Sequence, residues 1–280
     1  MTKQRGTDKK PIALVTGASS GIGQATAERL TNAGYKVYGT SRRGAPAGQR
    51  PFEMLPLDVT NDDSVAAAVN EVIRREGRID LLVNNAGFSL ATAGAEESSI
   101  EQVQSIFNTN FFGIVRMTRA VLPHMRKQKS GRIVNIGSIV GFLPAPFMAF
   151  YSATKHAVEG YSQSLDHEVR TLGIRVAVIE PAGTSTQIDA NAIEADSQLE
   201  VYRQGRERVG KRLSALIESG DSPSDVAEVV LKAATAARPS LRYTVGKEAR
   251  KLRLISRFAP ASMVDSALRK QMGLNTLVKR

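Results

Sequence analysis

The sequence predicts an α/β fold: a single doubly wound, mostly parallel sheet of seven strands with helices on both faces. Three observations carry this. Short apolar runs alternate with segments of helical periodicity, two of those runs contain no polar residue, and the first run opens directly into a glycine-rich turn. Leu81-Leu82-Val83 and Val176-Ala177-Val178-Ile179 are the uninterrupted runs, as expected of parallel strands buried on both sides.

Taken in order, Ile12 to Thr16 reads as the first strand, breaking into glycines and then into the helical pattern Ala25 to Ala33. Lys36 to Ser41, Glu53 to Leu57, Ile79 to Asn84, Arg132 to Ser138, Ile174 to Glu180 and Leu241 to Val245 read as the remaining strands. Between most of them lie helical segments, namely Asn61 to Glu76, Ser99 to Lys127, Phe150 to Leu172 and Ser222 to Ala236. Asp62 and Asp63 open the first of these, where carboxylates complement the positive end of the helix dipole. There is no internal repeat, and the linker-like stretch Arg43 to Pro51 is too short to separate domains. One domain over residues 11–280 is therefore expected, preceded by a flexible basic segment at 1–10.

Composition removes several function classes. The 280-residue chain has no cysteine, so it holds neither a disulfide framework nor a thiolate metal site. His124, His156 and His167 lack the i, i+4 pairing of a helical zinc site, and no metal is expected. The formal charge of +11 is concentrated at the ends: residues 238–280 carry eleven Lys/Arg against Glu248 and Asp265, and residues 1–10 add a net +3. The middle of the chain is close to neutral. Positive charge without an aromatic stacking surface beside it argues against nucleic-acid binding. With no bilayer-length apolar run, a cytoplasmic protein is expected.

The chemistry-bearing residues sit at strand ends. Thr16-Gly17-Ala18-Ser19-Ser20-Gly21-Ile22-Gly23 follows the first strand, and its glycines would let backbone N–H groups approach a pyrophosphate at a helix N-terminus. The plainer reading is a strand-to-helix connection, but its placement after the first strand favours the dinucleotide. The second strand ends in Ser41-Arg42-Arg43 rather than the carboxylate that would hold a ribose 2'-hydroxyl, so NADP(H) is expected in place of NAD(H). Alternatively, these arginines only solvate a loop. Asp58 follows the third strand, the small residues of Asn84-Asn85-Ala86-Gly87 end the fourth, and Ser138 ends the fifth. Tyr151 and Lys155 share one helix face at i, i+4. An ammonium about 5 Å from a phenol, at an effective dielectric near 20, favours the phenolate by roughly 3 kcal/mol, about two pK units.

TGxxxGxG at 16–23, Asn84-Asn85-Ala86-Gly87, Asn110, Ser138 and Tyr151-x-x-x-Lys155 resemble, in order and spacing, the short-chain dehydrogenase/reductase family over residues 11 to about 245. The resemblance implies a Rossmann-type domain. It implies that Tyr151 is the acid/base, that Lys155 binds the nicotinamide ribose and lowers the tyrosine pKa, and that Ser138 orients the carbonyl. Asn110 would support a water-linked proton relay. Cofactor contacts are implied for Gly17, Ser19, Ser20, Gly21, Ile22, Gly23, Ser41, Arg42, Arg43, Asp58, Val59, Asn85, Ala86, Gly87, Pro181, Thr184 and Thr186, besides Tyr151 and Lys155. One departure stands out, because the glycine expected directly after Pro181 is displaced to Gly183. A homodimer or homotetramer through the helices holding Phe107 and Tyr161 is also implied.

Between Ser138 and Tyr151 the chain is strongly apolar, so Val140, Phe142 and Phe147 are expected to contact a hydrophobic carbonyl or alcohol substrate with Ser138 and Tyr151. The competing reading packs these side chains against a lid, expected within 184–220, or a neighbouring subunit. In the basic extension 247–280, Lys247 to Phe258 interleaves charge with Leu252, Ile255 and Phe258. It suits a helix over the pocket with its basic face in water, or one lying on an anionic membrane. The expected function is NADPH-dependent interconversion of a carbonyl and a secondary alcohol. The alternative is a non-catalytic NADP(H)-sensing regulator on the same fold.

Overall fold

Seven strands form one parallel sheet in the computed structural model, which describes residues 10–44, 50–184 and 192–275. They are β1 (Ile12–Val15), β2 (Lys36–Ser41), β3 (Glu53–Pro56), β4 (Leu81–Asn84), β5 (Gly131–Ile136), β6 (Ile174–Glu180) and β7 (Arg242–Thr244). Their order is β3-β2-β1-β4-β5-β6-β7, and every neighbouring pair is parallel. The chain reverses its direction of travel across the sheet between β1 and β4. The crevice beyond the carboxyl ends of those strands is where an open α/β sheet binds ligands.

The helices are α1 (Gly21–Asn32), α2 (Asp62–Glu76), α3 (Ile100–Phe107), α4 (Gly113–Gln128), α5 (Ala149–Val169), α6 (Glu200–Glu218), α7 (Pro223–Thr235), α8 (Gly246–Phe258) and α9 (Ala261–Gln271). Strand alternation sends Leu14, Leu82, Ile133 and Val176 into one apolar layer and Val15, Val83, Val134 and Ala177 into the other. Against the first layer pack α2, α4 and α5; against the second pack α1 and α7. On α2, Val65, Val69 and Val72 fall on a single buried stripe. Each contributes about 1.5–3 kcal/mol of transfer free energy. That helix begins where the Asn61 side chain accepts the Ser64 N–H at 2.8 Å and ends at Gly77, whose φ of 72° lies in the left-handed region.

Two features depart from the sequence expectation. The single helix anticipated over Ser99 to Lys127 is interrupted by a π-turn, Asn108–Phe112. The wider turn accompanies an inward-facing Asn110, whose Oδ1 accepts the Phe88 N–H at 3.0 Å while its Nδ2 donates to the Phe88 carbonyl at 2.8 Å. Within the region anticipated as a lid, residues 200–218 form the nineteen-residue helix α6. Its anchor is Glu97, almost fully buried, which accepts the Leu199 N–H at 2.6 Å and the Gly94 N–H at 2.5 Å and pairs with Arg206.

A polar chain inside the sheet fixes α5. Register places Asn84 beside Asn135; the Asn84 amide donates to Asn135 Oδ1 at 2.9 Å, and Asn135 Nδ2 donates to Ser162 Oγ at 2.8 Å. Because all three residues are buried, breaking any link strands polar atoms away from water. The helix carrying Tyr151 and Lys155 is thus held in one rotation and height.

Candidate active site

The glycine loop joins β1 to α1 at the crevice. Gly17 adopts φ of 65°, and a Cβ there would lie 2.9 Å from the Ala86 Cα. At Gly23 a Cβ would come within 2.2 Å of the Gly17 carbonyl oxygen, so only hydrogen fits. The Asn85 amide clips the loop from the next strand, donating to the Thr16 and Gly17 carbonyls at 2.9 and 3.1 Å. Thr16 Oγ1 answers by accepting the Asn85 and Ala86 N–H groups at 2.9 and 3.0 Å. Ser20, the residue before α1, makes no side-chain cap to that helix. A helix N-terminus without a side-chain cap, set beside a rigid glycine cradle, suits a pyrophosphate.

Ser138, Tyr151, Lys155 and Asn110 face one cleft of about 720 Å³. Ser138 follows β5, and its Oγ accepts the Val140 N–H at 3.3 Å as it opens a short 3-10 turn. Lys155 is buried, donates to the Ile136 carbonyl at 2.9 Å, and holds its Nζ 5.5 Å from the Tyr151 ring centre. Burial pushes its ammonium down to a pKa of about 8. Ile22, Asn85, Gly87, Pro181 and Thr184 line the same cleft. Thr184 Oγ1 is buried and has no hydrogen-bond partner among the described residues. An orphaned hydroxyl in that position fits a polar group such as a carboxamide, and with the glycine cradle it makes the crevice compatible with a nicotinamide dinucleotide. Thr186 lies outside the described residues.

The displaced glycine has a packing cause. A Cβ on Gly183 would sit 2.5 Å from the Leu216 carbonyl oxygen, and the Asp221 N–H donates to the Gly183 carbonyl at 3.0 Å. Gly183 is therefore where the strand-end loop touches the C-terminal end of α6. Arg42 and Arg43 are exposed directly after β2. Asp58 accepts from the Thr60 N–H and hydroxyl, which hold its carboxyl below the usual range, with Arg42 and Arg116 adding to the effect. Val59 is buried against Gly113, where a Cβ would meet its side chain at 2.8 Å.

Of the three apolar residues anticipated at the substrate, Val140 lines the cleft and the two phenylalanines do not. Phe142 lies under the Arg253 guanidinium at 4.5 Å, and Phe147 packs on Gly205 and edge-on to Tyr202, with ring centres 6.2 Å apart. Both rings are taken up by the docking of α6 and α8, which is the competing reading of that segment. The apolar walls come instead from Leu143 and Met148, from Leu213 and Ile217 on α6, and from Leu252 and Met272 in the C-terminal region. His156 is exposed, with its ring at 2.9 Å from the Ser152 carbonyl, away from the cleft. Among the described residues no group of His, Asp and Glu is placed to hold a metal ion.

The family model for short chain dehydrogenase matches residues 11–197. The chain belongs to that family. It is 40% identical over 261 residues to 3-ketodihydrosphingosine reductase of Bacteroides thetaiotaomicron, covering 92% of this chain and 96% of the relative. Retinol dehydrogenase 8 of Bos taurus is 33% identical over 84% of this chain and 81% of its own length. Among solved structures, a short-chain dehydrogenase from Streptomyces avermitilis superposes with a TM-score of 0.79 at 31% identity, covering 98% of this chain and all of that one. A 3-ketoacyl-(acyl-carrier-protein) reductase from Brucella melitensis, complexed with NADH, gives 0.72 at 26% identity over 85% and 98% of the two chains. Serine dehydrogenase complexed with NADP+ gives 0.70 at 29% identity over 84% and 94%.

Two clusters in this short-chain dehydrogenase escape sequence reasoning. Arg50 donates to the Ala18 and Ser19 carbonyls at 3.2 and 2.9 Å and sits 5.7 Å over the Phe52 ring, which puts a cation against the glycine loop. Its only sequence signal was a basic residue in a presumed linker. Beneath the Ser138 segment, buried Glu180 lies 3.0 Å from Arg253 and 3.6 Å from Arg242, which also holds Glu159 at 2.8 Å. Burial first, and then the Glu159 charge, push the Glu180 carboxyl well above the carboxylate range. The cluster ties α8 to the floor of the cleft.

Proposed function

We propose that this oxidoreductase uses NADP(H) to interconvert a ketone and a secondary alcohol on a hydrophobic, long-chain substrate. The observation that carries the proposal is the convergence of Ser138, Tyr151 and Lys155 with Thr184 on one cleft that Leu143, Met148, Leu213, Ile217, Leu252 and Met272 also line. When bound, the nicotinamide supplies the hydride that the carbonyl carbon takes up. Tyr151 donates the proton to the carbonyl oxygen, Ser138 donates a hydrogen bond that orients it, and Lys155 favours the tyrosinate left behind. Held between the Ile136 carbonyl and the Tyr151 ring, the Lys155 ammonium keeps donors for the ribose hydroxyls. Asn110, fixed on both Phe88 backbone groups, holds the cleft wall that follows Gly87. Arg42, Arg43 and Arg50 at the adenosine end support a 2'-phosphate. The likeness to a 3-ketodihydrosphingosine reductase and a retinol dehydrogenase supports an extended apolar substrate.

The test follows NADPH and NADH consumption against 3-ketodihydrosphingosine, retinal and short polar ketones. Long-chain ketones should be reduced with NADPH and short polar ones poorly. Tyr151→Phe should retain NADPH binding and lose about 10²–10⁴-fold in kcat. A wild-type protein that binds NADPH and reduces none of the panel would instead be a cofactor sensor.

A further inference from the structure

The helix α8 has two working faces. Its inner stripe is occupied: Ala249 is buried, Leu252 lines the cleft, and Arg253 reaches Glu180 at 3.0 Å. The outer stripe is uncovered among the described residues and is apolar over its C-terminal half. Leu254 is 54% exposed and Phe258, one turn on, is 75% exposed, with Ile255 on their shoulder. Met263, 63% exposed, stands near the start of α9. At 100° per residue, Lys247 and Lys251 fall on the same stripe as Leu254 and Phe258, and Arg250 and Arg257 flank it. All four cations are exposed, while the helix carries a single acid, Glu248.

We propose that the outer face of α8 docks this protein peripherally on an anionic lipid bilayer, with Leu254 and Phe258 in the acyl boundary and the flanking Lys and Arg among acidic headgroups. Exposed apolar residues interleaved with cations along one helix face are the pattern of an interfacial helix. Charge selects this occupant over a second copy of the chain, since two such basic faces repel one another while an acidic surface attracts each. No helix among the described residues is long and apolar enough to cross a membrane, and α8, at thirteen residues, lies in the plane of the interface. Because Leu252 opens onto the cleft from the same helix, docking brings the cleft next to the lipid. That consequence rests on the long-chain ketone reading, whereas the docking does not.

Co-sedimentation of the full chain separates the two. The protein should pellet with vesicles of equal parts phosphatidylcholine and phosphatidylserine, remain in solution with phosphatidylcholine alone, and be released by salt. Leu254→Glu combined with Phe258→Glu, both at exposed positions, should cut the bound fraction about tenfold while NADPH binding and the circular dichroism spectrum stay unchanged. Lys247→Gln with Lys251→Gln gives a second variant that should weaken binding without touching apolar surface. Failure of the folded wild-type protein to pellet with either vesicle overturns the proposal, as does pelleting unaffected by both variants. Concentration-dependent self-association that L254E/F258E abolishes, without vesicle binding, would assign the face to a second copy and overturn it equally. Vesicle binding is read without substrate, so its failure leaves the ketone assays standing, and theirs leaves it standing.

Discussion

Lys155→Met should make the cofactor-free protein more stable while stopping turnover. Burial takes the Lys155 pKa from 10.5 down to about 8. Holding the charge inside the fold at neutral pH therefore costs about 3 kcal/mol. Met is close in length and carries no charge, but it cannot donate to the Ile136 carbonyl, which Lys155 does at 2.9 Å. Losing that charge-assisted bond costs about 1.5–2 kcal/mol, leaving a net gain of about 1–2 kcal/mol at pH 7. The sign with pH follows from which state binds more protons. Between about 8 and 10.5 the unfolded chain keeps the lysine proton and the folded one releases it, so wild-type stability rises with pH across that window. The advantage of Lys155→Met should therefore be full below about pH 8 and shrink above it. Denaturant unfolding of both proteins at about pH 7 and pH 9 measures this. A variant no more stable than wild type at pH 7, or an advantage that stays constant with pH, would rule out a burial penalty at Lys155. The opposite outcomes for stability and turnover are those of a site held in an unfavourable state for its chemistry.

Further outcomes follow from other sites. Arg42→Ala with Arg43→Ala should raise the KM for NADPH about tenfold or more and leave NADH nearly unchanged, as initial rates with each cofactor would show. Glu97→Gln removes the charge that holds Arg206 and weakens the anchor of α6, so denaturant unfolding should show a loss of about 2–4 kcal/mol. Proteolysis within 192–218 should quicken in the same variant. Asp166 is buried; that burial is outweighed by bonds from Arg175, the Val176 N–H and Arg170, which hold its carboxyl down to about 2. Its folded pKa lies below the usual 3.8, so it contributes about 2 kcal/mol above pH 4, lost as pH falls from about 4 to about 2. Asp166→Asn should flatten that part of the acid-unfolding profile.

Local periodicity and turn chemistry were enough to place all seven strands, the glycine loop, and Tyr151 one turn before Lys155 in α5. These features were legible because each is written within a few residues, where side-chain alternation, a positive-φ glycine or an i, i+4 spacing imposes its own geometry. What tertiary structure decided depends on partners far apart in the chain. The helix through Asn110 breaks because its side chain satisfies the Phe88 backbone, twenty-two residues earlier. Phe142 and Phe147 stay out of the cleft because Arg253 and Tyr202 arrive from α8 and α6 to cover them. Arg50 joins the glycine loop thirty-one residues away, and Glu97 anchors a helix that begins more than a hundred residues later. Nothing in the local sequence separates those side chains from solvated ones; a buried charge or ring is worth its place only once the distant group that satisfies it has been folded against it.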